Sequence, residues 1–214
     1  MKNKLLYIIN NCFLPILFVT LIWIIKGVEI IYNIYLYEYG INPGNSNSLI
    51  NIITYPFIHE NINHLINNTY PILILGMIIC IVYKKISNTI FVLSFILSGI
   101  ILWIIGSENQ NIIGASGFVY SLASFILISG FIRNHPKLAI LSFLVIFLNF
   151  FNLWGIIEIP HDNVSQTAHL SGVISGTILA IILRNKGPKQ KKYSWEIEEE
   201  EEEENINYIF LKKD

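Results

Sequence analysis

Apolar residues in this chain run in long blocks separated by short polar clusters. Six blocks, residues 5–25, 64–83, 90–105, 116–132, 138–154 and 168–183, are long enough to span or nearly span a bilayer core of about 30 Å at about 1.5 Å per residue. The pattern predicts an all-α membrane protein, a six-helix bundle over residues 1–187, followed by a charged, disordered cytoplasmic tail over residues 188–214. The first block is longer than a signal-peptide core and has no small-x-small cleavage signal after it, so it reads as an uncleaved span. Residues 27–39 stay apolar and Tyr-rich. They either extend the first helix or form an interfacial loop anchored by Tyr32, Tyr35, Tyr37 and Tyr39.

Composition supports the membrane assignment: 53% of the 214 residues are hydrophobic and 14% charged, too apolar a balance for an ordinary soluble domain. The net charge of -1 hides a run of Glu over residues 196–204, which reads as a solvated tail with no nucleic-acid partner implied. Cys12 and Cys80 both lie in apolar stretches, as small buried residues do, and give no disulfide framework.

Positive charge sets the expected orientation. Lys2 and Lys4 precede the first block, Lys84 and Lys85 join the second to the third, and Arg133 and Lys137 join the fourth to the fifth. Arg184, Lys186, Lys189, Lys191 and Lys192 follow the sixth. Glu38, Glu60, Glu108, Glu158 and Asp162 fall on the opposite connections, where Lys26 is the only basic residue. Both termini are therefore expected in the cytoplasm.

In that topology the second, fourth and sixth blocks all begin at the extracytoplasmic face, and their unusual polar residues sit at those beginnings: His64 and Asn68, Ser116 and Tyr120, and His169. Polar groups in lipid are costly and normally face a protein interior or a wet cavity, so this coincidence marks a site. His64 and Asn68 are four apart and share a helix face, as do Ser116 and Tyr120. Gly114-Ala115-Ser116-Gly117 sets the serine at a helix N-terminus, where backbone N–H groups favour a developing anion. Gly172 and Gly176 follow His169 on nearly its own face, and Gly117, Ser121 and Ser124 recur at helical spacing on the fourth block. Such small-residue stripes let two helices pack closely.

At these residues the sequence resembles the rhomboid family of intramembrane serine proteases. The family's His-x4-His-x3-Asn matches His59, His64 and Asn68, its Gly-x-Ser-Gly matches Gly114, Ser116 and Gly117, and its Ala-His-x2-Gly-x3-Gly matches Ala168, His169, Gly172 and Gly176. The resemblance implies a serine endopeptidase with a Ser-His dyad and no cofactor or metal. Ser116 is its nucleophile and His169 its general base. His64, Asn68 and the Ser116 backbone N–H are its oxyanion hole, Tyr120 stacks on His169, and His59 supports the loop before the second helix. The implied partners are transmembrane protein substrates in a lipid bilayer, cut near their extracytoplasmic ends at a small residue, and the compact layout looks like the simple prokaryotic form. Many members carry Trp-Arg where this chain has Ile50 and Asn51, which leaves the anchoring of the first loop in question.

Other readings of the same residues are weaker. Ser116 alone reads as a helix cap or packing residue, and Asn67 rivals Asn68 except for spacing. His59-Glu60 begins like His-Glu-x-x-His, but His64 comes one residue late and so turns off the face a zinc site needs. His161 and Asp162 belong to a short hydrophilic loop. A catalytically silent relative that binds transmembrane clients would fit the fold but not the intact Ser116 and His169. A small transporter would call for inverted repeats with broken helices, which the sequence lacks.

Overall fold

The structure, a computed structural model, describes residues 12–107, 110–133, 140 and 166–188. Its long helices are α1 (Phe13–Tyr32), α2 (Ile62–Val82), α3 (Ser87–Ile105), α4 (Ser116–Ile132) and α5 (Gln166–Ile182). A short helix, Asn51–Thr54, and 3-10 turns at Tyr37–Tyr39, Ser46–Ser48 and Tyr55–Phe57 lie between α1 and α2. Among the described residues α1, α2 and α3 are long and apolar enough to cross a membrane, and α4 and α5 are shorter apolar helices. The expected span over 138–154, the loop holding His161 and Asp162, and the tail beyond residue 188 lie outside the described residues.

The first helix does not end at residue 25. It continues to Tyr32, where Asn33 adopts a left-handed conformation (φ 51°) and returns its N–H to the Glu29 carbonyl, a common helix stop. Lys26 and Glu29, both within this helix, pair at 3.0 Å on its buried side. Of the tyrosines in question, Tyr32 belongs to the helix, while Tyr35, Tyr37 and Tyr39 are exposed in the loop beyond it.

The core is apolar and centred on α4. Phe118 is fully buried against Phe91 (ring centroids 4.8 Å) and Phe18 (5.3 Å), which joins α1, α3 and α4 under the first turn of α4. The α4–α5 interface is the most extensive of the described bundle, and the two helices run parallel, as their contacts show below. At the far end of α4, buried Arg133 donates through Nη1 to the Pro188 carbonyl (2.8 Å) and through Nη2 to the Leu183 carbonyl (2.9 Å). Those bonds tie the end of α4 to the turns that follow α5.

Candidate active site

Ser116 is half-buried at the first position of α4, after Ala115, which supplies no side-chain cap. The N–H groups of a first helical turn lack intrahelical partners and point along the positive end of the helix dipole, so they are available to an anion. The segment leading to the serine is fixed by other chain segments. Ile41 and Ile112 exchange backbone hydrogen bonds (2.8 and 2.7 Å), Tyr37 Oη donates to the Asn111 carbonyl (2.8 Å), and the Gly114 N–H donates to the Tyr55 carbonyl (2.9 Å).

α5 lies close against this turn. A Cβ on Gly117, the residue after the serine, would stand 2.9 Å from the carbonyl oxygen of Ala168, the residue before His169. One turn on, a Cβ on Gly172 would meet the Gly117 carbonyl and come within 2.7 Å of Tyr120 Cβ, and one on Gly176 would meet the Ser121 carbonyl. The contacts advance in step along both helices, so α4 and α5 are parallel. Ser175 Oγ donates to Ser121 Oγ (2.6 Å), and Ser124 Oγ to the Val173 carbonyl (3.2 Å). The glycine stripe thus brings the backbones together, and serine hydroxyls bridge them.

This approach stacks the His169 ring on Tyr120, centroids 4.2 Å apart and planes 21° from parallel. His169 is buried, and its Nδ1 has no hydrogen-bond partner among the described residues. Among the described residues the aromatic stack, with no carboxylate beside it, is what orients the ring there. Tyr120 is one turn along α4 from Ser116, so the imidazole lies beside the serine's own turn of helix.

α2 approaches from the other side. Its N-cap Asn61 accepts a hydrogen bond from the His64 N–H (2.8 Å), and the His64 ring lies against Gly114, where a Cβ would meet His64 Cε1 at 2.5 Å and Nε2 at 2.7 Å. Gly114 has φ +101°, so both its backbone angle and the histidine above it require glycine. Asn68 is buried and Asn67 exposed. Asn68 Nδ2 donates to the His64 carbonyl (3.1 Å), one use of an amide with two N–H groups.

His59 lies edge-on to His64 (5.1 Å, 67°) and is buried, with neither ring nitrogen hydrogen-bonded among the described residues. Burial pulls its pKa down to about 3, helped by the neighbouring positive charges of His64 and Lys26, and the Phe57 backbone offsets this in part without closing a hydrogen bond. Among the described residues no three His, Cys, Asp or Glu are grouped to hold a metal ion.

A family model described as the Rhomboid domain matches residues 46–186. The chain belongs to the rhomboid family. Similar relatives include an uncharacterized protein of Mycobacterium tuberculosis strain H37Rv, 27% identical over 181 residues (81% of this chain and 75% of the relative). An uncharacterized protein of Mycobacterium leprae is 28% identical over 182 residues (81% and 71%). Membership accounts for the all-helical, apolar, membrane-type bundle.

Within this rhomboid domain the structure also shows what replaces the Trp-Arg pair. Ile50 is exposed, but Asn51 Nδ2 donates to the Gly40 carbonyl (2.7 Å) and, at 3.4 Å, to that of Glu38, and Thr54 Oγ1 donates to the Tyr39 carbonyl (2.7 Å). The first loop is therefore anchored by a neutral amide. Sequence reasoning did not find this role for Asn51, nor those of Asn61, Tyr37 and Tyr55. The Asn61 cap had a signal in Asn-x-x-His just before an apolar run. The rest act on main-chain groups distant in sequence.

Proposed function

We propose that this protein is an intramembrane serine endopeptidase that hydrolyses peptide bonds in or near the transmembrane helices of other membrane proteins. Ser116 Oγ attacks the scissile carbonyl as His169 takes its proton, and the imidazolium then protonates the leaving amine. Water, deprotonated by the same imidazole, releases the acyl group from Ser116. The tetrahedral oxyanion is held by the Ser116 N–H, the His64 ring and the second Asn68 N–H, each such donor contributing about 100- to 1,000-fold to turnover. Substrates are cut near their extracytoplasmic ends, at a small residue where the helix unwinds. The Lys and Arg distribution supports cytoplasmic termini and a site facing the outside of a bacterial cell membrane.

The observation that carries this reading is the Tyr120–His169 stack, made possible by Gly117 against Ala168 and Gly172 against Tyr120. It holds an imidazole beside the turn that begins with a half-buried serine. α4 has 17 residues, about 25 Å of helix against a bilayer core of about 30 Å, so the serine is expected below the membrane surface. Reaction of the detergent-solubilised protein with a fluorophosphonate probe tests the assignment. Wild type is labelled, and Ser116→Ala and His169→Ala are not; labelling that survives Ser116→Ala removes this serine from the mechanism. A wild type that neither labels nor cleaves a model transmembrane substrate is a client-binding protein instead.

A further inference from the structure

The charges buried near the end of α1 take no part in the chemistry above. Lys26 is 9% exposed and Glu29 6%. Burying an ion pair in an apolar helix is costly unless its remaining hydrogen-bonding capacity is used. Here it is used across the bundle. The Lys26 ammonium donates to Glu29 Oε2 (3.0 Å), to the His59 carbonyl (2.8 Å) and to the Glu60 carbonyl (3.1 Å), three acceptors for three N–H groups. Glu29 Oε1 accepts the Leu36 N–H (3.0 Å) at the start of the following loop.

The clamped carbonyls lie at the entrance to α2. Glu60 is followed by Asn61, whose side chain caps α2 on the N–H of His64 itself, and the His59 ring packs edge-on against the His64 ring. α1 therefore grips the chain one residue before the cap that sets where His64 stands over Gly114. Charge-assisted bonds to carbonyls are stronger than neutral ones, and Lys26 makes both to consecutive peptides, which fixes their orientation as well as their position.

We infer that Lys26, with Glu29 as its counter-charge, is a positioning residue for the oxyanion side of the active site. It holds residues 59–61 and, through them, the angle at which α2 presents His64 and Asn68 toward Ser116. This rests on the protease reading, and Lys26 touches no reacting atom. Its loss lowers turnover by displacing the donors, while leaving the surface that binds substrate helices intact.

The test compares wild type with Lys26→Arg, Glu29→Gln and the double variant Lys26→Met/Glu29→Gln in detergent. The double variant leaves no unpaired buried charge, so it avoids the fault that would unfold Lys26→Met alone. Hydrogen–deuterium exchange is followed over residues 57–65, and fluorophosphonate labelling, kcat and KM are measured in parallel. Exchange in that segment is expected to quicken in the double variant with α3 and α4 unchanged. Labelling and kcat are expected to fall by about a hundredfold with KM little changed, the scale of a misplacement near 1 Å. Lys26→Arg, which keeps the charge and several donors, restores most of the rate. Unchanged exchange over residues 57–65 overturns the clamp whatever the activity. Quickened exchange with wild-type labelling and kcat overturns the positioning role. A wild type that is never labelled, with exchange still quickened in the double variant, overturns the protease reading while the clamp stands as an anchor of α2.

Discussion

His59 carries an imidazole that burial and the adjacent His64 and Lys26 charges keep neutral, with a pKa of about 3 against an ordinary 6.5. Glu60, next in sequence, is the nearest carboxylate on its own segment. Between those two pH values the unfolded chain binds a proton that the folded one refuses, so stability rises with pH there: full above about 6.5, and lost as pH falls toward 3. At pH 5 the loss from this one group is about 2 kcal/mol. Thermal unfolding in detergent at pH 7.5 and pH 5 is expected to show a larger drop for wild type than for His59→Phe, which keeps a ring against His64 but cannot titrate. Equal drops would mean that His59 is protonated in the fold without penalty. Some single residues were plain in the sequence and others were not. His64, Asn68, Ser116 and His169 stood out because a polar side chain in an apolar block breaks a pattern. Lys26 stood out only as a lone cation among acidic loops. Its carbonyl acceptors are 33 and 34 residues away, and a main-chain oxygen leaves no mark on the residue type that bears it.

Packing of α4 on α5 is governed by glycines whose environments differ sharply from that of the glycine in α1. A Cβ at Gly172 would meet the Gly117 carbonyl, Tyr120 Cβ at 2.7 Å and the Ser121 N at 3.0 Å, mostly rigid backbone, whereas a Cβ at Gly27 meets nothing within 4 Å. Gly172→Ala is therefore expected to destabilise by about 1–3 kcal/mol through overpacking and to pull His169 from its stack on Tyr120. Gly27→Ala should be neutral or stabilise by up to about 1 kcal/mol, the helix-propensity gain alone. Melting temperatures of the two variants in one detergent decide the matter, and similar shifts would show that the close approach is soft. Element boundaries were legible in proportion to how sharply polarity changed at them. α4 keeps its expected limits because glycine-rich sequence precedes Ser116 and Arg133 follows Ile132, and α2 and α5 begin two residues ahead of expectation. The end of α1 was left open between an extended helix and an interfacial loop, and the helix extends as far as Tyr32 before the loop begins. The short helix Asn51–Thr54 and the 3-10 turns hold too few residues to show a period at all.

At the scale of the whole bundle the decisive fact is the parallel packing of α4 and α5. The serine turn and Ala168 meet at one end, and Arg133 meets Leu183 and Pro188 at the other, so the connection between the helices begins at the Arg133 end and finishes at the His169 end. A chain joining two parallel membrane-spanning helices has to return across the bilayer, which is the role expected of the apolar block at 138–154. The close, parallel course of these two helices was expected from the sequence, in the shared starting face of the two blocks and their small-residue stripes, and the Lys and Arg on alternate connections add an expected orientation. The two together predict sidedness for that connection. With Cys12 and Cys80 replaced by alanine, Asp162→Cys should react with a membrane-impermeant maleimide in intact cells, and Pro136→Cys only after the membrane is permeabilised. The same sidedness at both positions would be incompatible with parallel helices on either side of a single crossing. Opposite sidedness in the reverse sense would keep the bundle but turn it over, placing the Ser116 turn toward the cytoplasm and leaving the buried Lys26, not the far-end basic residues, on the positive side.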